Sequence, residues 1–416
     1  MIEREQREIT MTEVAVNASA RRTEVADLAA RTRTFVCEEV LPIEDHHDGD
    51  VALAGGDDLR RTLQSRAREL GLLAPHGPMD CGGRGLSMTE RAGVFEAAGY
   101  GLFGAMAINA AAPDEGNMHL LDHVATPQQR ERFLAPLVSA EFRSAFAMTE
   151  PAPGAGSDPS ALQTRATRTR NGWRIDGRKL FITGADGADF FIIMARTSGD
   201  VGSRGGGTMF LAPASTPGLR IGRHVPTMDR SMVGGHCEVF FDGLDLPEDA
   251  VLGEVDEGFH YVQVRLGPAR MTHVMRWLGA AGRAHETALD YVTSRRVFGA
   301  SLSDQGLAQH LIAENEIDLA ATRALLDVAC VALDSGSPAA QETSIAKIFG
   351  GEAIGRVADR AVQLCGGMGV SADLPVARIA REVRPFRVYD GPSEVHRFAI
   401  AKRAAKAARV RRGELT

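Results

Sequence analysis

Asn171-Gly172-Trp173-Arg174-Ile175-Asp176-Gly177 reads as a tight turn followed by an alternating strand. Asn-Gly is a strong hairpin signal, and apolar Trp173 and Ile175 alternate with polar Arg174 and Asp176. Outward from this stretch the same two-residue period holds from about Ser144 to Leu252. Phe190-Phe191-Ile192-Ile193-Met194 is an apolar run suited to a buried strand. Thr208-Met209-Phe210-Leu211 and Glu238-Val239-Phe240-Phe241 behave likewise, with glycines and prolines between them at strand-like intervals. These residues predict a β unit of roughly 110 residues, a barrel or a sandwich.

On either side the period is helical. Ala, Leu, Glu and Arg dominate up to about residue 140; in Val25 to Glu38, Leu28, Ala29 and Phe35 fall near one face. A long polar loop is expected over Pro42 to Asp58. Its Glu44, Asp45, His46, His47 and Asp48 are types that ligate metals, but five hydrophilic side chains in a loop are ordinarily just solvated. The helical pattern resumes at Leu59 and runs with interruptions to Val138. From about Gly258 helices return and are longer. Ala284, Ala288 and Tyr291 share a face, Ile312, Ile317 and Leu319 to Leu326 supply another, and Val395, Phe398 and Ala399 mark a last helix. Helices, then strands, then helices excludes a parallel βαβ plan, and no G-x-G-x-x-G follows a strand. The expected class is α+β: an N-terminal helical domain over 1–143, a middle β domain over 144–257 and a C-terminal helical domain over 258–416.

The 416 residues suffice for two or three packed units. A net charge of -7 gives no general attraction to nucleic acid or anionic lipid. No stretch approaches the ~18 apolar residues of a membrane span, and the charged start, Met1 to Arg22, shows no signal peptide. Cys37, Cys81, Cys237, Cys330 and Cys365 are scattered and lack CxxC spacing, so they read as reduced thiols in a cytoplasmic protein. Six basic residues between Lys402 and Arg412 read as a solvated helix end, with a nucleic-acid contact as the lesser alternative.

The chemistry concentrates late in the chain. Tyr389-Asp390-Gly391-Pro392-Ser393-Glu394 puts a carboxylate in a tight turn just before a helix, where it can remove a proton. Upstream, Gln363-Leu364-Cys365-Gly366-Gly367-Met368-Gly369 lets backbone approach a bulky ligand. Four further segments complete an ordered set: Gly71-Leu72-Leu73 with Gly82 to Ser87, Phe146-Ala147-Met148-Thr149-Glu150-Pro151 ending in Gly156-Ser157-Asp158, Lys179 to Gly184, and Arg295-Arg296-Val297-Phe298-Gly299. With these motifs in this order over about residues 60 to 405, the chain resembles the acyl-CoA dehydrogenases. These are FAD-dependent flavoenzymes of helix–β–helix architecture, with a four-helix bundle at the C-terminus. It is nearest to a subgroup with an Asp-Gly-Pro-x-Glu-Val-His turn.

The resemblance implies roles for particular residues. Phe146, Met148, Thr149 and Ser157 would line the flavin. Phe181 would pack on it where the family usually has Trp, and Thr183 would face its N5. Arg295, Phe298, Gln363, Gly366 and Gly367 would reach the FAD of a neighbouring copy, which implies a homo-oligomer, dimer or tetramer. Asp390 would be the base that takes the α-proton of an acyl-CoA or acyl-carrier-protein thioester, while hydride leaves the β-carbon. Arg270 would support the base turn, and Ser157 and Gly391 would touch substrate. Electron-transferring flavoprotein would take up the electrons. Between Phe259 and Val274 there is no Asp or Glu, so Asp390 is the best candidate base; Glu394 is the alternative, with helix stabilisation its ordinary role. Ala152-Pro153 lengthens one motif by about two residues, and Pro392 replaces a usual Thr. Two other readings share the resemblance: a flavin monooxygenase, which generally lacks the turn carboxylate, and a DNA-binding relative, which the net charge opposes.

Overall fold

The computed structural model describes residues 2–203 and 205–414, with side chains from Ser19 onward. The first unit comprises helices α1 (Ile2–Phe35), α2 (Leu41–His46), α3 (Gly56–Glu69), α4 (Met88–Gly99), α5 (Gly104–Ala107), α6 (Asp114–Val124), α7 (Pro127–Gln129) and α8 (Ala135–Val138). Local chemistry starts several of them. At α4, the Ser87 hydroxyl accepts from the Glu90 backbone N–H while the Glu90 carboxylate accepts from that of Ser87. Thr126 and Gln129 form the same reciprocal cap at α7.

The stretch from Pro42 to Asp58, expected to be a solvated loop, is helical at both ends. Glu44 is fully buried: Arg283 Nη1 lies 2.6 Å from its Oε1, and the Leu102 backbone N–H donates to Oε2 at 2.6 Å. Asp45 meets Arg283 as well, at 2.7 Å, and also Arg378. A buried carboxylate holds its charge only beside a cation, and here the cation lies 239 residues further on.

The middle unit contains β1 (Ser144–Ala147), β2 (Arg165–Thr169), β3 (Gly172–Thr183), β4 (Phe190–Arg196), β5 (Gly207–Pro213), β6 (Leu219–His224), β7 (His236–Pro247) and β8 (Val251–Leu252). They pair in the order β6-β7-β3-β2-β4-β5-β8, with β1 parallel to β4. β2 touches β4 at one register pair, Arg165 with Arg196, so two half-sheets fold toward each other about this seam. Trp173, Ile175, Phe191, Phe210 and Phe241 fill the space between them. The opposite side of β4 and β5, with Phe190, Ile192 and Leu211, packs on Met118, Leu121 and Leu137 of α6 and α8. That double burial explains the unbroken apolar run at 190–194. The β2–β3 reversal falls on Arg170 and Asn171, one residue earlier than the Asn-Gly pair suggests, because Gly172 already pairs with Thr169. A Cβ on Gly172 would stand 2.1 Å from the Leu246 carbonyl oxygen, so close strand approach is what requires glycine here.

The last unit opens with α9 (Gly258–Ser294), then a short hairpin of β9 (Arg296–Val297) and β10 (Ala300–Ser301). It continues with α10 (Gly306–Asp334), α11 (Ala340–Cys365), α12 (Val376–Val383) and α13 (Ser393–Arg411). Helices α9, α10, α11 and α13 form the bundle, with α11 touching the other three. Ala284, Ala288, Leu319, Leu326, Ile354 and Val357 are buried. Ile317, expected in the apolar stripe, is exposed: two helical steps of 100° place it nearly opposite Leu319. Phe398 is exposed too. One apolar cluster joins the first and last units, with Phe35, Phe95 and Phe103 against Met271, Leu278 and Phe386.

Glu382 of α12 ties the last unit to the β unit. Fully buried, it accepts from the Arg230 backbone N–H at 2.6 Å and from the Ser231 hydroxyl at 2.7 Å. Burial pushes its carboxyl from 4.5 up to about 7 despite those donors. The unfolded chain therefore releases this proton near pH 4.5 and the folded chain near 7. Between these values the folded state binds more protons, so stability falls as pH rises, by roughly 3 kcal/mol from this group. Glu382→Gln is expected to flatten that slope in urea melts at pH 5, 6 and 8; equal slopes in the two proteins would contradict the assignment.

Candidate active site

The turn ahead of α13 is unusual in its backbone. Asp390 has φ 54°, left-handed for a residue with a Cβ, and Gly391 has φ 96°. Such a conformation persists where surrounding contacts fix it. Three helices supply them. Arg270 Nε of α9 donates to the Asp390 carbonyl at 3.0 Å, and His396 Nε2 of α13 stands 3.2 Å from the same oxygen. Lys347 Nζ of α11 donates to the Gly391 carbonyl at 2.6 Å. The Asp390 carbonyl can only accept, so Nε2 is the protonated nitrogen of His396, while the Ser344 hydroxyl lies 3.2 Å from its Nδ1. A Cβ on Gly391 would stand 2.7 Å from His396 Nε2, so both the positive φ and the close ring demand glycine. Burial pushes His396 down to about 4 and Lys347 down to about 8.

The Asp390 side chain is 19 % exposed. His273 Nε2 of α9 lies 3.1 Å from its Oδ2 without the alignment of a full hydrogen bond, and Oδ2 has no other donor among the described residues. Arg276 Nη2 donates to His273 Nδ1 at 2.6 Å, which leaves the ring proton on the nitrogen facing the carboxylate. Burial, reinforced by Arg276, pushes His273 down to about 4, so the ring is neutral at pH 7. Burial alone would raise the Asp390 carboxyl; the His273 N–H, Arg265 and Arg270 override it and hold the group well below the usual carboxylate range. The backbone N–H groups of Asp390 and Gly391 find no acceptor among the described residues. The site therefore offers an ionised carboxylate beside uncommitted donors, a set suited to deprotonating a carbon next to a carbonyl.

Arg265 connects this turn to β1. Its guanidinium lies over the Phe146 ring at 4.1 Å and donates to Asn117 Oδ1 at 2.7 Å. No carboxylate stands within ion-pair distance of it among the described residues. Phe146, Met148 and Thr149 are half-buried, and the Thr149 carbonyl accepts from the Leu180 N–H at 2.9 Å, joining β1 to β3. A bulge between Lys179 and Ile182 turns Phe181 outward, at φ 58° and 50 % exposed. A bulge that re-aims a side chain is a common device beside a ligand. Behind this wall Lys179, fully buried, meets Glu150 at 2.9 Å and donates to the Met148 and Met194 carbonyls at 3.0 and 2.7 Å. Thr183 is half-buried, and its hydroxyl lies 2.9 Å from His236 Nδ1.

The remaining expected residues lie elsewhere. Ser157, Arg295, Gln363, Gly366 and Gly367 are exposed, and Phe298, at the tip of the β9–β10 hairpin, is 98 % exposed. None is joined to the Asp390 turn by a hydrogen bond or ion pair among the described residues. Glu394, the alternative base, is exposed on the first turn of α13.

Three family models match in sequence. Residues 22–141 match the N-terminal domain of acyl-CoA dehydrogenase, 145–244 the middle domain and 256–405 the C-terminal domain. The chain belongs to the acyl-CoA dehydrogenase family. Members of this family are oxidoreductases. Probable acyl-CoA dehydrogenase FadE2 of Mycobacterium tuberculosis is 36 % identical over 90 % of this chain and 94 % of its own length. (R)-benzylsuccinyl-CoA dehydrogenase of Thauera aromatica is 33 % identical over 89 % of this chain and 93 % of its own. Butyryl-CoA dehydrogenase from Megasphaera elsdenii superposes with a TM-score of 0.82 at 27 % identity, covering 92 % of this chain and 98 % of the other.

Sequence reading missed His273, Arg276 and Lys347 around the base, and gave His396 no role beyond its place in the turn motif. A signal for two of them was present: Arg270, His273 and Trp277 recur at helical spacing along an otherwise apolar stretch of α9, with Arg276 beside them. Lys347 carried none, since a lysine in a helix ordinarily faces water. Lys347→Met keeps length and removes the donor, leaving the Gly391 carbonyl unpaired. The expected cost is about 1–3 kcal/mol in urea unfolding; a loss within error of zero would show that the clamp does not need this contact.

Proposed function

We propose that this family member is an FAD-dependent acyl-CoA dehydrogenase that converts an acyl thioester to its 2-enoyl form, with Asp390 taking the α-proton. The observation that carries the reading is the Asp390 carboxylate itself: ionised, partly open and fixed at φ 54° by three helices. The unpaired N–H groups of Asp390 and Gly391 are available to the thioester carbonyl as charge develops there. Arg270 acts on the turn's carbonyl, so its part is to position the base.

The residues present fit a flavin. The exposed Phe181 ring offers an apolar face, and Thr149 and Thr183 bring hydroxyls to the ends of β1 and β3. Phe146 and Met148 complete the wall, and the exposed Ser157 is assigned to the flavin by the family likeness alone. FAD, when bound, supplies the acceptor for the hydride that leaves the β-carbon. The pocket's own contribution is to exclude water, orient the ligand and hold the proton acceptor. Phe298, at 98 % exposure, supports contact with a second copy. Arg295, Gln363, Gly366 and Gly367 would join it around the neighbour's FAD, making the protein a homo-oligomer. A CoA thioester, cytoplasmic location and electron-transferring flavoprotein as acceptor complete the proposal; among the described residues no helix is long and apolar enough to cross a membrane. The monooxygenase alternative gives the Asp390 charge nothing to do. A DNA-binding role is disfavoured because Arg403 and Arg412 of the basic helix are engaged by Gln341 and Glu414.

Asp390→Asn is expected to remain yellow and FAD-bound but to fail to bleach when acyl-CoA is added without oxygen. Bleaching at the wild-type rate would remove Asp390 from the reaction. Because Asp390 is held below its ordinary range, kcat/KM should stay flat on the acid side until pH falls below about 4. His273→Leu takes away the nearest N–H, so the acid limb should move to higher pH by about one unit. An unmoved limb would show that His273 does not govern the carboxylate.

A further inference from the structure

Arg265 carries a charge that no carboxylate meets at contact distance. It is buried and spent on neutral partners: Nε donates to Asn117 Oδ1 at 2.7 Å, Nη2 to the Pro113 carbonyl at 3.3 Å, and the guanidinium lies over the Phe146 ring at 4.1 Å. Nη1 makes no hydrogen bond among the described residues. Three carboxylates act on Arg265 from further off, Asp390, Glu115 and Asp114, but each is committed elsewhere. Asp390 Oδ2 faces His273 at 3.1 Å. Glu115 accepts from the Thr272 hydroxyl at 2.9 Å and stands 3.8 Å from Arg91 Nη1. Asp114 accepts from the backbone N–H and the hydroxyl of Ser144, at 2.7 and 2.6 Å.

The surroundings repeat the excess of positive charge. Arg276, also buried, donates to the Ala110 carbonyl at 3.2 Å and to His273, with no carboxylate partner among the described residues. Arg91 Nη1 and both ring nitrogens of buried His76 have no hydrogen-bond partner. Burial, reinforced by Arg91, His119 and Arg276, holds His76 well below its ordinary range. Burial, with His123, Arg91 and Arg265 adding to it, pushes His119 of α6 down to about 3. Two histidines kept neutral beside three guanidiniums mark a region of positive potential. A buried charge without a close counter-charge destabilises its surroundings, and a ligand that brings the counter-charge relieves this.

Arg265 also stands between the two parts of the site. It lies against the Phe146 wall and helps hold the Asp390 carboxyl below its ordinary range. We propose that Arg265 is a specificity-determining residue that binds a carboxylate on the acyl group, so that the preferred substrates are dicarboxylic acids joined to the thioester at one end. A guanidinium suits this task because its forked donors match the two oxygens of a carboxylate. The inference deepens the functional reading above and rests on it: the acyl chain lies between the wall and the base.

The test uses CoA thioesters in which sulfur replaces the β-carbon, so that no hydride can leave and equilibrium binding is read by calorimetry. Pairs of equal chain length, one ending in a carboxylate and one in a methyl group, are offered to the FAD-loaded protein at several lengths. At one length or more the carboxylate member is expected to bind at least about tenfold more tightly, the scale of a hydrogen bond to a charged group. Arg265→Gln should make the two members bind alike, and Arg265→Lys, which keeps the charge without the fork, should retain part of the difference. Members that bind alike to the natural protein at every length, or a preference that survives intact in Arg265→Gln, would overturn the proposal. The first of these results decides it even if the variant does not fold. Failure of the reacting counterparts of both kinds to bleach the flavin without oxygen would instead sink the functional reading, and this inference with it.

Discussion

The rest of the site depends on one constraint: a charged carboxylate kept ionised inside the protein on a backbone that does not favour its own conformation. Asp390 at φ 54° would relax if left alone. It is held because Arg270, His396 and Lys347 bind the two carbonyls of its turn from three different helices. Two of these groups, Arg270 and Lys347, also bring positive charge toward the carboxylate, so position and protonation state are set together. Arg270 serves both purposes, through its hydrogen bond to the Asp390 carbonyl and its field at the carboxyl.

The α9 helix organises this arrangement. Within a few turns it presents Arg265 to Phe146 and Asn117, Arg270 to the turn, and His273 and Arg276 to the carboxylate. Further along, Arg283 neutralises Glu44 of the first unit. A single rigid element therefore fixes the N-terminal helices, the wall at β1 and the base with respect to one another. Buried charge recurs in the β unit, where Lys179 and Glu150 pin the end of β1 to β3 and β4. Removing one member of such a pair would strand the other in a medium that cannot solvate it.

Much of this was legible from local pattern. The apolar run at 190–194 marked a strand because strands buried on both faces need not alternate. The Asp390-Gly391-Pro392 turn is ordinary punctuation when taken alone, and it stood out only together with the other motifs of the ordered set. Reading failed where a side chain's fate depended on a distant partner. Glu44 and Asp45 lay in a hydrophilic stretch and were taken for solvated loop, yet Arg283 and Arg378 bury them. Ile317 matched an apolar stripe by composition but faces outward, because helical geometry separates it from Leu319. Thr183 could be singled out, but not the histidine and aspartate behind it, which cross-strand pairing and a loop bring to its hydroxyl.

By itself the sequence determined the succession of helical, β and helical units, the candidate base and the aromatic and hydroxyl residues of the wall. The succession of units and the carboxylate turn are written in spacing and residue type over a few neighbouring positions, and the wall residues in motifs that resemble those of the family. Only the tertiary structure decided which charges are buried, which are paired, and which side chains clamp the Asp390 turn. Those properties come from distances between residues up to hundreds of positions apart, and electrostatics in a poorly solvated interior responds to distance in space and not along the chain.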